Sequence, residues 1–118
     1  MNEFVDKYDL RGMAAEIGYK KAMLKRIEHM REELDELEEA ITKKDDVKVI
    51  DAIIDITYLS IGTGVMFDFD FEKHWGAVHE CNMNKVRVTD NSHKFGIKKP
   101  EGWIGPEKTH RKIITKKD

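Results

Sequence analysis

The sequence predicts an all-α protein: an antiparallel helical bundle with long amphipathic helices at about 19–43, 47–67 and 71–87 and an irregular C-terminal tail. Three observations predict it. Charged residues make up 37% of the chain, and Gly and Pro are sparse until its last quarter, which suits amphipathic helices better than a sheet. Met23, Ile27, Met30, Leu34, Leu37 and Ile41 recur at alternating spacings of four and three, a heptad-like apolar stripe. In the stretch 47–67, Val49, Ile50, Ile53, Ile54, Ile56, Leu59, Ile61 and Val65 point in nearly every helical direction. A helix apolar all round is a buried helix, and the stretch is too long for an ordinary strand.

Residues 1–15 are weakly patterned, with room for a short helix. After the first long helix, Thr42 to Asp46 is a short polar connection, so the second should fold back antiparallel, with Asp46 as its cap. Phe67 to Phe71 makes a turn and Asp70 caps the third helix, whose inner face carries Phe71, Trp75, Val78 and Val86. From Thr89 onward, Gly96, Pro100, Gly102, Gly105 and Pro106 break regular structure. Phe95, Trp103 and Ile104 imply that this tail, 89–118, packs on the helices.

The 118 residues suffice for one domain. A domain of this size buries a modest fraction of its surface, so oligomerisation is an expected aid. One cysteine, Cys81, forms no internal disulfide, and a reducing, cytoplasmic setting is the default expectation. No run of eighteen apolar residues and no charged-then-apolar leader occurs, so no membrane span or secretory signal is expected. Residues 1–84 carry 11 Lys/Arg and 19 Asp/Glu, a balance of −8, whereas 85–118 carry 10 and 4, a balance of +6. An acidic body with a basic tail suits a site that holds a cation and then a polyphosphate; a solvated tail is the plainer explanation.

The chemistry lies in the carboxylates. Asp51 and Asp55 are one turn apart in the most apolar helix, and Tyr58 and Gly62 continue their face. Burying unpaired carboxylates costs several kcal/mol, and a divalent cation is the most economical compensation. Gly62 leaves room for a ligand. On the first helix Glu33 and Glu36 flank the apolar stripe on the side shared with Ala22, His29 and Ala40, where an antiparallel partner could set them against Asp51 and Asp55. All-oxygen ligands favour Mg²⁺ or Mn²⁺ over zinc. Taken alone, the glutamates read as a solvated acidic face; for the aspartates, ion pairs to partner helices are the lesser alternative to a metal, and the two sets together favour a metal site. Asn82 and Lys85 on the third helix suit a polar contact and a phosphate, or a plain interhelical contact and a surface lysine. Only Glu107 and His110 have the Glu-x-x-His spacing of a di-iron bundle, and they sit in the broken tail.

These residues resemble the all-alpha nucleoside triphosphate pyrophosphohydrolases, the MazG-like and phosphoribosyl-ATP pyrophosphohydrolase-like enzymes. That superfamily's signature is Glu-Glu-x-x-Glu on one helix and Glu-x-x-Asp on the next. Glu32, Glu33 and Glu36 match the first part and Asp55 the last aspartate; Ala52 occupies the second-helix glutamate position, and Asp51 beside it is the natural substitute. Asn82-Met83-Asn84-Lys85 is similar to the family's Asn-Met-Ser-Lys segment, and 98–103 with Pro106 to its C-terminal segment. The resemblance implies Mg²⁺-dependent hydrolysis of a (deoxy)nucleoside triphosphate to the monophosphate and pyrophosphate, as in nucleotide-pool clean-up. It implies Glu33, Glu36, Asp51 and Asp55 as metal ligands and Glu32 as the residue that orients or deprotonates water. It implies Tyr58, Asn82, Lys85, Lys99 and Trp103 as substrate contacts, and a dimer or tetramer. The competing expectations are a non-enzymatic helical interaction module using the Met23–Ile41 stripe as a seam, and a nucleic-acid binder using the tail, which the acidic body disfavours.

Overall fold

The computed structural model describes residues 1–89 and 94–116, in two compact units, Met1–Phe69 and Asp70–Asp118. Six α-helices dominate the described residues: α1 (Asn2–Lys7), α2 (Leu10–Ile17), α3 (Tyr19–Thr42), α4 (Asp46–Met66), α5 (Phe71–Met83) and α6 (Glu107–Thr115). The all-α expectation holds, and the three long helices fall within a few residues of their expected bounds.

In the first unit α3 and α4 form an antiparallel hairpin, the most extensive helix contact. Asp45, not Asp46, caps α4: its carboxylate accepts from the Lys48 amide at 3.1 Å, while Asp46 sits in the first turn. Both aspartates fit a helix start electrostatically; only the one outside the helix has its side chain beside the free amide. Both helices of the hairpin end in the same way. After α3 the amide of Asp45 reaches back to Ala40 O at 3.0 Å across Lys44 at φ 55°. After α4 the amide of Phe69 reaches Gly64 O at 2.9 Å across Asp68 at φ 58°. These are Schellman closures with lysine and aspartate where glycine is usual.

The expected single N-terminal helix is two. Gly18, at φ 91° and ψ 153°, takes a backbone conformation closed to other residues and turns α2 into α3. Val5, Ala14, Ala22 and Met66 are buried together, with Met1, Leu10, Val65 and Phe67 packed around them. Arg11 ties this end by ion pairs to Asp6 (2.7 Å) and Asp68 (3.3 Å), and Tyr19 meets Phe67 edge-on at 5.0 Å.

α4 is not buried all round, contrary to the expectation. Ala52, Leu59, Gly62, Thr63, Gly64 and Met66 are buried, but Val47, Ile50 and Ile54 are 78%, 64% and 58% exposed. Asp51 and Asp55 are exposed as well, so they are not carboxylates sealed in an apolar helix. By length and composition α4 could cross a membrane (mean hydropathy 1.5); its small buried residues instead form a close-packed contact with α3. α3 likewise turns its Ala22–Ala40 side toward α4, leaving Ile27, Leu34 and Ile41 of the heptad stripe exposed. Small residues let the two backbones approach, and that decides which side is inside.

In the second unit Asp70 caps α5 as expected, accepting from the Lys73 amide at 3.2 Å. α5 ends at Met83 rather than 87. Val86–Arg87 instead pairs antiparallel with Ile97–Lys98, Val86 opposite Lys98 and Arg87 opposite Ile97. Phe71, Trp75, Val78 and Val86 are exposed; Ala77 is the buried residue of α5. The tail is less irregular than expected, because α6 starts at once after Pro106, where the last Gly/Pro break falls. His74 of α5 and His110 of α6 meet Nδ1 to Nδ1 at 2.7 Å, which needs a neutral acceptor on one ring. Trp103 is anchored on α5, donating from Nε1 to Cys81 O at 2.7 Å. Phe95 and Ile104, expected to pack, are 96% and 77% exposed.

Candidate functional site

The α3–α4 groove brings the acidic residues of the two helices together in pairs. Glu33 and Asp55 line one cleft of about 230 Å³. Glu36 and Asp51 line the next, about 330 Å³, toward the α3–α4 turn. The antiparallel register does this: Ala22, Arg26, His29, Glu33, Glu36 and Ala40 form a second three-and-four spaced seam on α3, beside the apolar stripe. Ala22 and Ala40 are buried at its ends and the polar residues lie between.

Glu33 is the most constrained acid. Its side chain is 14% exposed, and Oε1 lies 3.4 Å from Nε2 of His29. Oε2 is buried without a hydrogen-bond partner. Desolvation raises the Glu33 pKa above its ordinary value, and the charges of Glu36 and then Asp55 raise it further. A carboxylate held this way attracts either a proton or a cation. Its neighbours supply oxygen donors only, besides His29, so the set fits a hard divalent ion such as Mg²⁺. Among the described residues, however, no three His, Cys, Asp or Glu side chains already stand in metal-holding geometry; the carboxylates are paired across the groove rather than closed on one point. Glu39, in the Glu36–Asp51 cleft, is paired with Lys43 of the same cleft. Its Oε1 lies 2.6 Å from the Lys43 ammonium, which holds Glu39 below and Lys43 above their ordinary pKa values. Glu32 is exposed and lines neither cleft.

Sequence reasoning missed Arg26. It donates from Nε to Thr63 Oγ1 at 2.9 Å and from Nη2 to Leu59 O at 3.1 Å, both neutral oxygens. Burial lowers its pKa, and it remains a cation. Its place on the 22–40 seam was the available signal, but arginine on a helix is ordinarily a surface residue. Gly62 faces it: a Cβ there would meet Arg26 Nη2 at 3.3 Å and Met1 Sδ at 3.4 Å, so glycine keeps the floor of the cleft open. Tyr58, expected on the aspartate face, lines the same cleft as Glu33 and Asp55.

The remaining expected contacts lie in the second unit. Lys85 and Lys99 bring their ammonium groups to 5.3 Å and 4.9 Å from the Trp103 ring centre. The indole face attracts both, and two cations at one ring make a concentrated positive spot. Asn82 is exposed on α5.

The family model described as phosphoribosyl-ATP pyrophosphohydrolase matches residues 7–82. This span includes α2, α3 and α4 whole and α5 to its penultimate residue. No curated protein and no solved structure matches the chain.

Proposed function

The chain belongs to the phosphoribosyl-ATP pyrophosphohydrolase family, within the MazG-like all-alpha superfamily, and from that premise we propose that it hydrolyses a nucleoside triphosphate to the monophosphate and pyrophosphate with Mg²⁺. Pyrophosphohydrolysis of a nucleotide is the activity the family carries. The observation that supports the metal is the buried, unpartnered Oε2 of Glu33 beside Asp55 and Glu36.

In this reading Glu33 and Asp55 would hold the ion from one cleft and Glu36 and Asp51 from the adjoining one; Mn²⁺ suits the same oxygens. Bound there, a divalent ion neutralises the polyphosphate and lowers the pKa of an attacking water. Arg26 supplies a fixed cation to a phosphate: its bonds to Thr63 and Leu59 leave other N–H groups free to donate. Glu32 orients the water from the neighbouring surface of α3, and Tyr58 contacts base or ribose. Within the second unit Lys85, Lys99 and Trp103 are read as an anion contact, and Asn82 as a polar one. The uncovered faces of α4 and α3, led by Val47, Ile50 and Ile54, support a homo-oligomer. Nothing in this reading calls for nucleic acid or a membrane, and a cytoplasmic setting remains its expectation.

The test is pyrophosphate release from a panel of nucleotides with Mg²⁺. Glu36→Gln and Asp55→Asn should each lower kcat at least a hundredfold or so, since even outer partners of a metal site can be worth about that much, while the helical circular-dichroism signal survives. Retained turnover in both overturns the metal assignment. A second reading, phosphoribosyl-ATP as substrate, is favoured by the family's own description. It shares the triphosphate and differs in the base, so including it in the panel separates the two. The non-enzymatic module predicts no Mg²⁺ binding and no turnover at all.

A further inference from the structure

The family match begins at residue 7, yet the cleft that holds Glu33 and Asp55 is closed on one side by residues that precede it. Met1 and Phe4 line this cleft together with Arg26, Tyr58 and Gly62. Phe4 meets Tyr58 edge-on, ring centres 5.2 Å apart at 88°, and its other aromatic neighbour is Tyr8 at 5.0 Å. The Met1 thioether reaches the gap left by Gly62. Met1 and α1 therefore add apolar and aromatic surface to a cleft that α3 lines with Arg26, His29 and Glu33 and α4 lines with Asp55, Tyr58, Leu59 and Gly62. Phe4 and Tyr58 are 37% and 45% exposed, so neither ring is consumed by packing.

We propose that Phe4 is a specificity-determining residue: it and Tyr58 form the nucleobase end of the site, so that α1, outside the family's matched span, selects nucleotides over bare polyphosphate. This rests on the nucleotide reading above. A flat aromatic base is the ligand chemistry that two half-exposed rings beside a phosphate-binding arginine would recognise. Base–aromatic stacking is sequence-tolerant, because every base presents a π-face. The acidic groups and Arg26 then meet the polyphosphate.

The experiment compares wild type with Phe4→Leu, which keeps apolar bulk without the ring, and Phe4→Trp, which keeps a ring. For the best nucleotide of the panel, Phe4→Leu should raise KM about tenfold with kcat within about twofold, and Phe4→Trp should restore KM. The inhibition constant of inorganic tripolyphosphate, which has no base, should not move in either. An unchanged nucleotide KM in Phe4→Leu, or an equal loss for nucleotide and tripolyphosphate, overturns the inference while leaving the pyrophosphohydrolase reading intact. A wild-type protein that releases pyrophosphate from no nucleotide overturns that reading and this inference with it. Because a substitution in α1 can weaken the fold, the same point is read on wild-type protein. With saturating nucleoside monophosphate, nuclear Overhauser effects should connect base protons to the Phe4 ring, and their absence overturns the assignment.

Discussion

Glu33 keeps one carboxylate oxygen buried and unpartnered in a groove that also holds Glu36 and Asp55. Its folded-state pKa lies above the unfolded value, so its contribution to stability is fully present in acid, below the unfolded value, and is lost as pH rises through the folded one. The metal-free protein is therefore weakened by this residue toward neutral pH. Glu33→Gln should raise the metal-free neutral-pH stability by on the order of 1 kcal/mol, and the gain should vanish in acid. Added Mg²⁺ should stabilise wild type but not the variant. Thermal melts across pH, with chelator and with Mg²⁺, read all three; a variant less stable than wild type at neutral pH would refute the account. Glu33, Glu36 and Asp55 could be picked from the sequence because acids repeating at helical spacing stand out. Arg26 and Phe4 could not, because their roles depend on which side of α3 faces α4 and on where α1 lands.

At the scale of the element, α3 and α4 close with left-handed Lys44 and Asp68. A side chain in that conformation costs roughly 1 kcal/mol or more. Lys44→Gly should then stabilise the protein by about 0.5–1 kcal/mol, since the Lys44 position needs only backbone bonds; chemical denaturation measures it, and a destabilised variant would show that the lysine side chain contributes more than the strain it brings. The helices themselves were legible. Period, length and the aspartates near 45 and 70 mark α3, α4 and α5 to within a few residues. What faced what was not. The apolar stripe Met23–Ile41 invites burial, but Ala22, Ala40, Ala52 and Gly62 allow the closer approach, and contact at short range outweighed hydrophobicity in setting the hairpin's register. α6 escaped notice because the Gly and Pro residues before it end at 106, and nine residues rich in Lys and Arg do not announce a helix.

At the scale of the molecule the same register leaves Val47, Ile50 and Ile54 facing outward. Burying such side chains is worth roughly 1.5–3 kcal/mol each, so a second copy of the chain has reason to cover them. In the proposed homo-oligomer, Ile54→Glu should shift the protein to a monomer in sedimentation velocity, and an unchanged sedimentation coefficient would remove this face from the proposal. The outward face also bears on how the protein behaves in a tube. Where folding and association are linked, melting temperature is a function of how much protein is present. Dilution, with no change of buffer or temperature, should then uncover isoleucines and lower the melting point. In the proposed homo-oligomer, values at assay concentration and at concentrations used for structural work should differ, and the Ile54→Glu variant should melt at one temperature throughout.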